Sequence, residues 1–186
     1  MPEINLEDRK RAERKLLIHV AEWKEQGEIE DPENPGQMIE GEVTKREILG
    51  TRTPDSSIEF NIDSETSTDI RGITYADVNK TEPTQQFDPY TILGGSPLGA
   101  YLSKAALKND ITAYNGSFDV YIITAYMGEA GAYYAVKHEG CSIFPTAIGG
   151  ESFVNMPIEV HYSNKITEGT VDVLTDEFVF TPTVNV

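Results

Sequence analysis

Several stretches of this chain place apolar side chains at every second position, the period of a strand with one buried and one wet face. Ile58, Phe60 and Ile62 alternate with Glu59, Asn61 and Asp63, and Ile158, Val160 and Tyr162 alternate with Glu159 and His161. On this pattern "KLLIHVAEW" (15–23), "IEGEVTKREI" (39–48) and "SSIEFNIDSET" (56–66) are predicted strands. The acidic, proline-broken "EQGEIEDPENPGQM" (25–38) is a predicted loop between the first two. After Gly116 come six more apolar runs: "FDVYIITAYM", "AYYAVKHEG", "CSIFPTAI", "SFVNMPIEVHYS", "GTVDVLT" and "EFVFTP". Turn signals at Gly128 with Gly131, Gly140, Gly149-Gly150, Ser163-Asn164 and Thr175-Asp176 separate them. "FDVYIITAYM" is apolar on both faces at its centre and reads as a central strand covered by the helix.

One segment has a helical period. In "GGSPLGAYLSKAALKND", Leu98, Tyr101, Leu102 and Ala105 fall on one face, Ser96 is the predicted N-cap, and Pro97 takes the first helical position. Lys104 and Lys108 fall on its outer, polar face, and Asn109-Asp110 is the stop. The sum is a mainly β fold: residues 15–186 as a single β-sandwich or barrel domain with one packed helix, preceded by a charged N-terminal arm, residues 1–14.

The stretch "DVNKTEPTQQFDPY" (77–90) obeys neither period, yet carries two aromatic residues. A disordered linker would rarely keep Phe87, Tyr90 and the upstream Tyr75, because burying each is worth a few kcal/mol. A ligand loop and an inter-subunit arm both remain. Pro83 and Pro89 hold the preceding residues extended, so the segment spans distance without collapsing, and an arm with aromatic anchors is the favoured reading.

Charge narrows the function. Asp and Glu number 31 against 15 Lys and Arg, a formal net of −16. The leader, 1–15, holds five basic and four acidic residues, leaving 27 acids against 10 bases in the rest. Duplex binding relies on cations replacing phosphate counterions, so tight nucleic-acid binding is disfavoured. A surface past which DNA slides without sticking is compatible with this balance. No run approaches the length of a membrane-spanning helix, and the single Cys141 excludes an internal disulfide. Both facts suit a chain that stays in the cytoplasm where it is made.

Candidate chemistry is sparse. His19, His138 and His161 form no metal-ligand spacing with Cys141. His138 and Cys141 flank a predicted tight turn at Gly140, but nothing orients the pair as base and nucleophile. "DSETSTD" offers Asp63, Glu65 and Asp69 to a hard cation without the pattern of a calcium loop. "LGGSPLG" lacks the Lys-Ser/Thr pair of a phosphate loop. No cofactor and no catalytic residue is expected.

The run "YADVNKTEPTQQFDPYTILGGSPLGAYL" resembles the central segment of major tail tube proteins of long-tailed phages of Gram-positive bacteria. The residues that carry the likeness are Asp77, Asn79, Lys80, Thr81, Glu82, Pro83, Gln85 or Gln86, Phe87, Asp88, Pro89 and Tyr90, then Gly94, Gly95 and Leu98. The C-terminal hairpins, with an "I-x-P-x-x-I-G-G" element at Ile143 to Gly150, are similar in layout. The resemblance spans roughly residues 15 to 182 and leaves out the basic leader. It implies a β subunit that forms hexameric rings stacked into a hollow tube, assembled in the host cytoplasm and carried in the virion tail. The implied partners are further copies of the chain, a tape-measure protein, a tail terminator and distal tail or baseplate proteins, with DNA passing unbound. On this reading Asp77, Asn79–Pro83, Gln86–Tyr90, Gly94 and Gly95 make ring-to-ring contact. The acidic face of strand 58–66 (Glu59, Asp63, Glu65) is the candidate lumen wall. Two other readings stand beside it. One is the inner tube of a contractile tail or injection system. The other is a carbohydrate-binding β-sandwich, with Trp23, Tyr133 and Tyr134 as its aromatic platform.

Overall fold

A computed structural model of the chain describes residues 12–129, 131–172 and 178–183. The protein is mainly β, with one helix packed on a large antiparallel sheet. Eleven strands occur among the described residues: β1 (Leu17–Glu30), β2 (Met38–Ile48), β3 (Ile58–Glu59), β4 (Asp63–Thr68), β5 (Thr74–Lys80), β6 (Thr84–Phe87), β7 (Phe118–Glu129), β8 (Ala132–Pro145), β9 (Ile158–His161), β10 (Ile166–Asp172) and β11 (Val179–Pro182). The helix α1 (Pro97–Lys108) joins β6 to β7.

The main sheet runs β2-β1-β7-β8-β9-β6-β3 and forks at β8. One edge of β8 pairs with β7; along the other, Tyr133–His138 pairs with β10 and Ser142–Pro145 with β9. The predicted turn at Gly140 does not exist. Phe118 faces Cys141 while Asp119 faces Glu139, so Gly140, at φ 75°, is the extra residue of a bulge inside one continuous strand. That bulge lets β8 serve both branches of the fork.

Each branch covers one face of β1 and β7. On one side His19, Ala21 and Trp23 of β1 and Phe118 and Val120 of β7 are buried with Phe87 of β6, Ile158 and Val160 of β9 and Leu98 and Leu102 of α1. On the other, Val20, Tyr121 and Ile123 are buried with Val171 of β10, and the half-buried Phe178 and Phe180 pack against them. β7 is the expected central strand, with Leu98 and Leu102 of α1 in the cluster on one face; the cover that β10 gives its other face is an addition to that expectation.

The helix matches its sequence signals. Ser96 accepts a hydrogen bond from the Gly99 amide at 2.9 Å, Asn109 closes the helix at φ 54°, and Leu98, Leu102 and Ala105 are buried. Glu47, near the end of β2, adds a second tether. Its carboxylate accepts hydrogen bonds from the Leu98 amide (2.9 Å), Ser96 Oγ (2.7 Å) and the buried Tyr90 hydroxyl (2.8 Å). One acid thus fastens the helix N-terminus, where the dipole favours negative charge, to the strand beneath. Glu47→Ala strands these donors and is expected to cost about 2 kcal/mol, read as a lower urea midpoint with unchanged slope.

His19 is buried, stacks edge-on to Phe87 at 6.0 Å, and its Nε2 has no hydrogen-bond partner among the described residues. Burial, and secondarily the charge of Arg14, lower its pKa from 6.5 to about 4. The unfolded chain therefore binds a proton below pH 6.5 that the folded chain refuses until about pH 4. Stability present above pH 6.5 is lost on acidification through that window, by about 1.4 kcal/mol per pH unit at most. Thermal unfolding of the wild type and of His19→Leu from pH 7 to 4 checks this: the variant is expected to show the flatter profile.

Two sequence expectations fail here. The predicted acidic loop 25–38 is shorter, because β1 continues to Glu30 and β2 begins at Met38, leaving 31–37 as the turn. Beyond Trp23, the last β1 residue paired with β7, the two strands pair only with each other. Gly27 lies opposite Gly41, and Val43 and Ile29 side chains occupy the space their side chains would need. The predicted strand 56–66 is broken. Asn61 turns the chain at φ 44°, β3 is two residues long, and Phe60 and Ile62 are exposed. Its alternation does not mark a dry face of this fold.

Candidate functional site

The break at Asn61 starts an element that the strand periods did not reveal. Among the described residues β4 and β5 pair with each other and with no other strand, as a two-stranded sheet. Every residue of both strands is exposed. The turn between them is built on Asp69, whose carboxylate accepts from the amides of Arg71 (2.8 Å) and Ile73 (3.0 Å) and from Arg71 Nε (3.1 Å). These bonds, chiefly that from the Ile73 amide, hold its pKa below the usual carboxylate value. Gly72, at φ 79°, takes the left-handed position, and Ile70 stands fully in solvent at the tip. At the root, Asn61 Nδ2 donates to the Glu82 carbonyl (2.9 Å) and to Thr84 Oγ1 (3.0 Å), and the Glu82 amide donates to the Phe60 carbonyl (3.1 Å). A groove of about 530 Å³ separates this root from His161–Asn164.

The hairpin is apolar where a solitary element should not be. Phe60, Ile62, Ile70, Ile73, Tyr75 and Val78 are all exposed. Glu65 lies directly opposite Asp77, a like-charge cross-strand pair, and neither takes part in an ion pair among the described residues. Two strands without a third, or a surface to lie on, are marginal in water.

The motif 77–90 divides across this boundary. Asp77, Asn79 and Lys80 belong to β5, and Thr81 and Glu82 lead from the exposed hairpin back to the body; Lys80 forms an ion pair with Glu82. From Pro83 onward the chain enters the core. The Pro83 carbonyl accepts from the Tyr162 amide (3.0 Å), and β6 lies between β3 and β9. Phe87 is 0% and Tyr90 2% exposed. The reading of 77–90 as one extended arm is thus corrected: Phe87 and Tyr90 are buried in the core of their own chain and are not free to contact another. Gln86 and Asp88 are exposed beside them, and Pro89 is half-buried. Gly94 and Gly95 form an exposed turn into α1, with Gly95 at φ 87°.

The three acids assigned to a lumen wall do not share a strand. Glu59 is on β3 at the edge of the main sheet, whereas Asp63 and Glu65 are on the hairpin. Nor do Asp63, Glu65 and Asp69 converge on a cation, since an extended strand sets its first and last residues roughly 20 Å apart over that span. Among the described residues no group of three or more His, Cys, Asp and Glu side chains could hold a metal.

Cys141 is buried, its Sγ faces the His138 carbonyl at 3.4 Å, and burial pushes its pKa up to about 11. His138 Nδ1 is engaged with the Ser163 carbonyl at 2.8 Å. The two side chains do not form a nucleophile and base. The aromatic platform also fails to assemble: Trp23 is in the core, and Tyr133 and Tyr134 are successive residues of β8, which point to opposite faces. Among the described residues no helix is long and apolar enough to cross a membrane. No protein-family model and no curated protein matches this chain.

Proposed function

We propose that this chain is a structural subunit that binds copies of itself, forming rings that stack into a hollow tube of the kind that conducts DNA in long-tailed phage tails. The observation that carries the reading is the β4–β5 hairpin, a wholly exposed two-stranded sheet studded with apolar side chains on an otherwise ordinary β domain. The first half of the phage-like motif, Asp77, Asn79, Lys80, Thr81 and Glu82, lies on it or at its root. The hairpin supplies the ring-to-ring contact, and Phe87 and Tyr90 hold its base rigid from inside the subunit. A tongue that fits a different surface on the next copy is a heterologous contact, which closes into a ring or, as between stacked rings, continues open according to its rotation.

The charge supports the same role. A net of −16 repels phosphate, so a bore walled by this protein lets DNA pass. A tape-measure protein within the tube and terminator and baseplate proteins at its ends complete the proposed assembly. Negative-stain microscopy across a concentration series tests it. Annular particles with a central hole, stacking into filaments as concentration rises, are the expected result. A single monomeric species at every concentration and salt would defeat the proposal.

A further inference from the structure

Where on the next copy does the hairpin lie? This question rests on the assembly reading above, and the distribution of charge over the fold answers it. Like-charged surfaces repel, and interface centres are depleted of charged side chains. A hairpin that carries Asp63, Glu65, Asp69 and Asp77 therefore fits an acid-poor face of the next copy. Residues 89–109 contain no acid and two lysines, and residues 140–158 contain a single acid, Glu151.

The fold brings parts of these two runs together. Thr91 bridges to Asn155, the Ile92 amide donates to the Val154 carbonyl (3.1 Å), and Ser103 Oγ reaches Met156 Sδ at 3.7 Å. Gly149 also bridges to Asn155, folding 148–154 into a tight excursion. This face leaves Leu93, Ile148, Phe153 and Val154 exposed, Phe153 at 73%. On the adjoining helix Lys104, Leu107 and Lys108 are also exposed. Apolar side chains gathered in one patch mark an interaction site rather than scattered surface residues.

We infer that this face, centred on Phe153 and flanked by Lys104 and Lys108, is the receptor for the β4–β5 hairpin of a second copy. The chemistry is complementary on both counts. Ile70, Ile73 and Tyr75 meet Leu93, Phe153 and Val154. The helix lysines supply cations to the opposed Glu65 and Asp77, which form no ion pair among the described residues of their own copy. The pairing takes one element from each of two different surfaces, so it propagates from copy to copy.

Disulfide trapping tests the assignment. Ile73→Cys and Phe153→Cys are made singly in the intact chain; native Cys141 is buried and stays silent. Mixed under oxidising conditions at concentrations where the wild type assembles, the two variants are expected to give a cross-linked dimer that neither gives alone. Because either substitution could weaken assembly itself, Lys104→Glu with Lys108→Glu provides a second readout: the concentration needed for assembly should rise at least tenfold and fall back when Glu65→Lys and Asp77→Lys are added. Filaments that form without the cross-link and ignore the lysine reversal overturn this receptor while leaving the assembly reading intact. Wild-type protein that never assembles overturns both.

Discussion

Replacing Ser64–Asn79 with the dipeptide Asn-Gly is expected to leave a folded monomer that no longer assembles. Asp63 and Lys80 are register partners at the base of the hairpin, so a two-residue turn closes the ladder there. None of the removed residues is buried, and none belongs to either core cluster. The change should therefore cost less than about 1 kcal/mol of stability, as surface changes away from the core usually do. Sedimentation velocity is expected to show a single monomer boundary at concentrations where the wild type sediments as rings and filaments. Assembly at the wild-type concentration would show that the hairpin is not the joint.

Phe87→Ala is expected to do the opposite, damaging the fold itself. Phe87 is fully buried, faces His19 across the sandwich and lies against Gly50, where an added side chain would come within 3.0 Å of its ring. Removing the ring leaves a cavity between β6 and β1, at a cost of about 3–5 kcal/mol. That is a large fraction of the roughly 5–15 kcal/mol that a domain of this kind possesses. Chemical denaturation should show a markedly lower midpoint, and any loss of assembly should track the unfolded fraction. Phe153→Ala is the contrasting case, because that ring is exposed: stability should change by less than about 0.5 kcal/mol.

These two phenylalanines show what the sequence could and could not convey. Both sit in polar, proline-bearing stretches, and nothing local distinguishes the one that fills the core from the one that faces solvent. The helix was legible in full because its cap, its first-turn proline and its apolar stripe agree. β7 was legible because it is apolar on both faces, as a strand covered by two branches must be. The fork at β8 was not, since Gly140 signals a turn and a bulge with equal force. The hairpin was hidden for a physical reason. A strand is recognised by the contrast between a buried and a wet face, and β4 and β5, exposed at every residue, have no buried face. Ile58, Phe60 and Ile62 made the converse error, offering an alternation that the turn at Asn61 interrupts.

Of the motif residues, sequence placed the aromatic anchors in the right segment but on the wrong side of the boundary. Phe87 and Tyr90 were read as reaching outward; they are what the outward element is rooted in. The acidic residues Glu59, Asp63 and Glu65 were placed on one wall because they share a parity, and parity is lost once the strand is broken.

Hydrogen exchange of the hairpin amides, compared between dilute and concentrated protein, bears most directly on the whole account. Amides of residues 63–80 are expected to exchange quickly in the dilute monomer, where two strands stand alone in water, and to slow at least tenfold on assembly. Those of β7 should be slow in both. Hairpin amides that exchange equally fast in assembled and monomeric protein would contradict the claim that a second copy covers them.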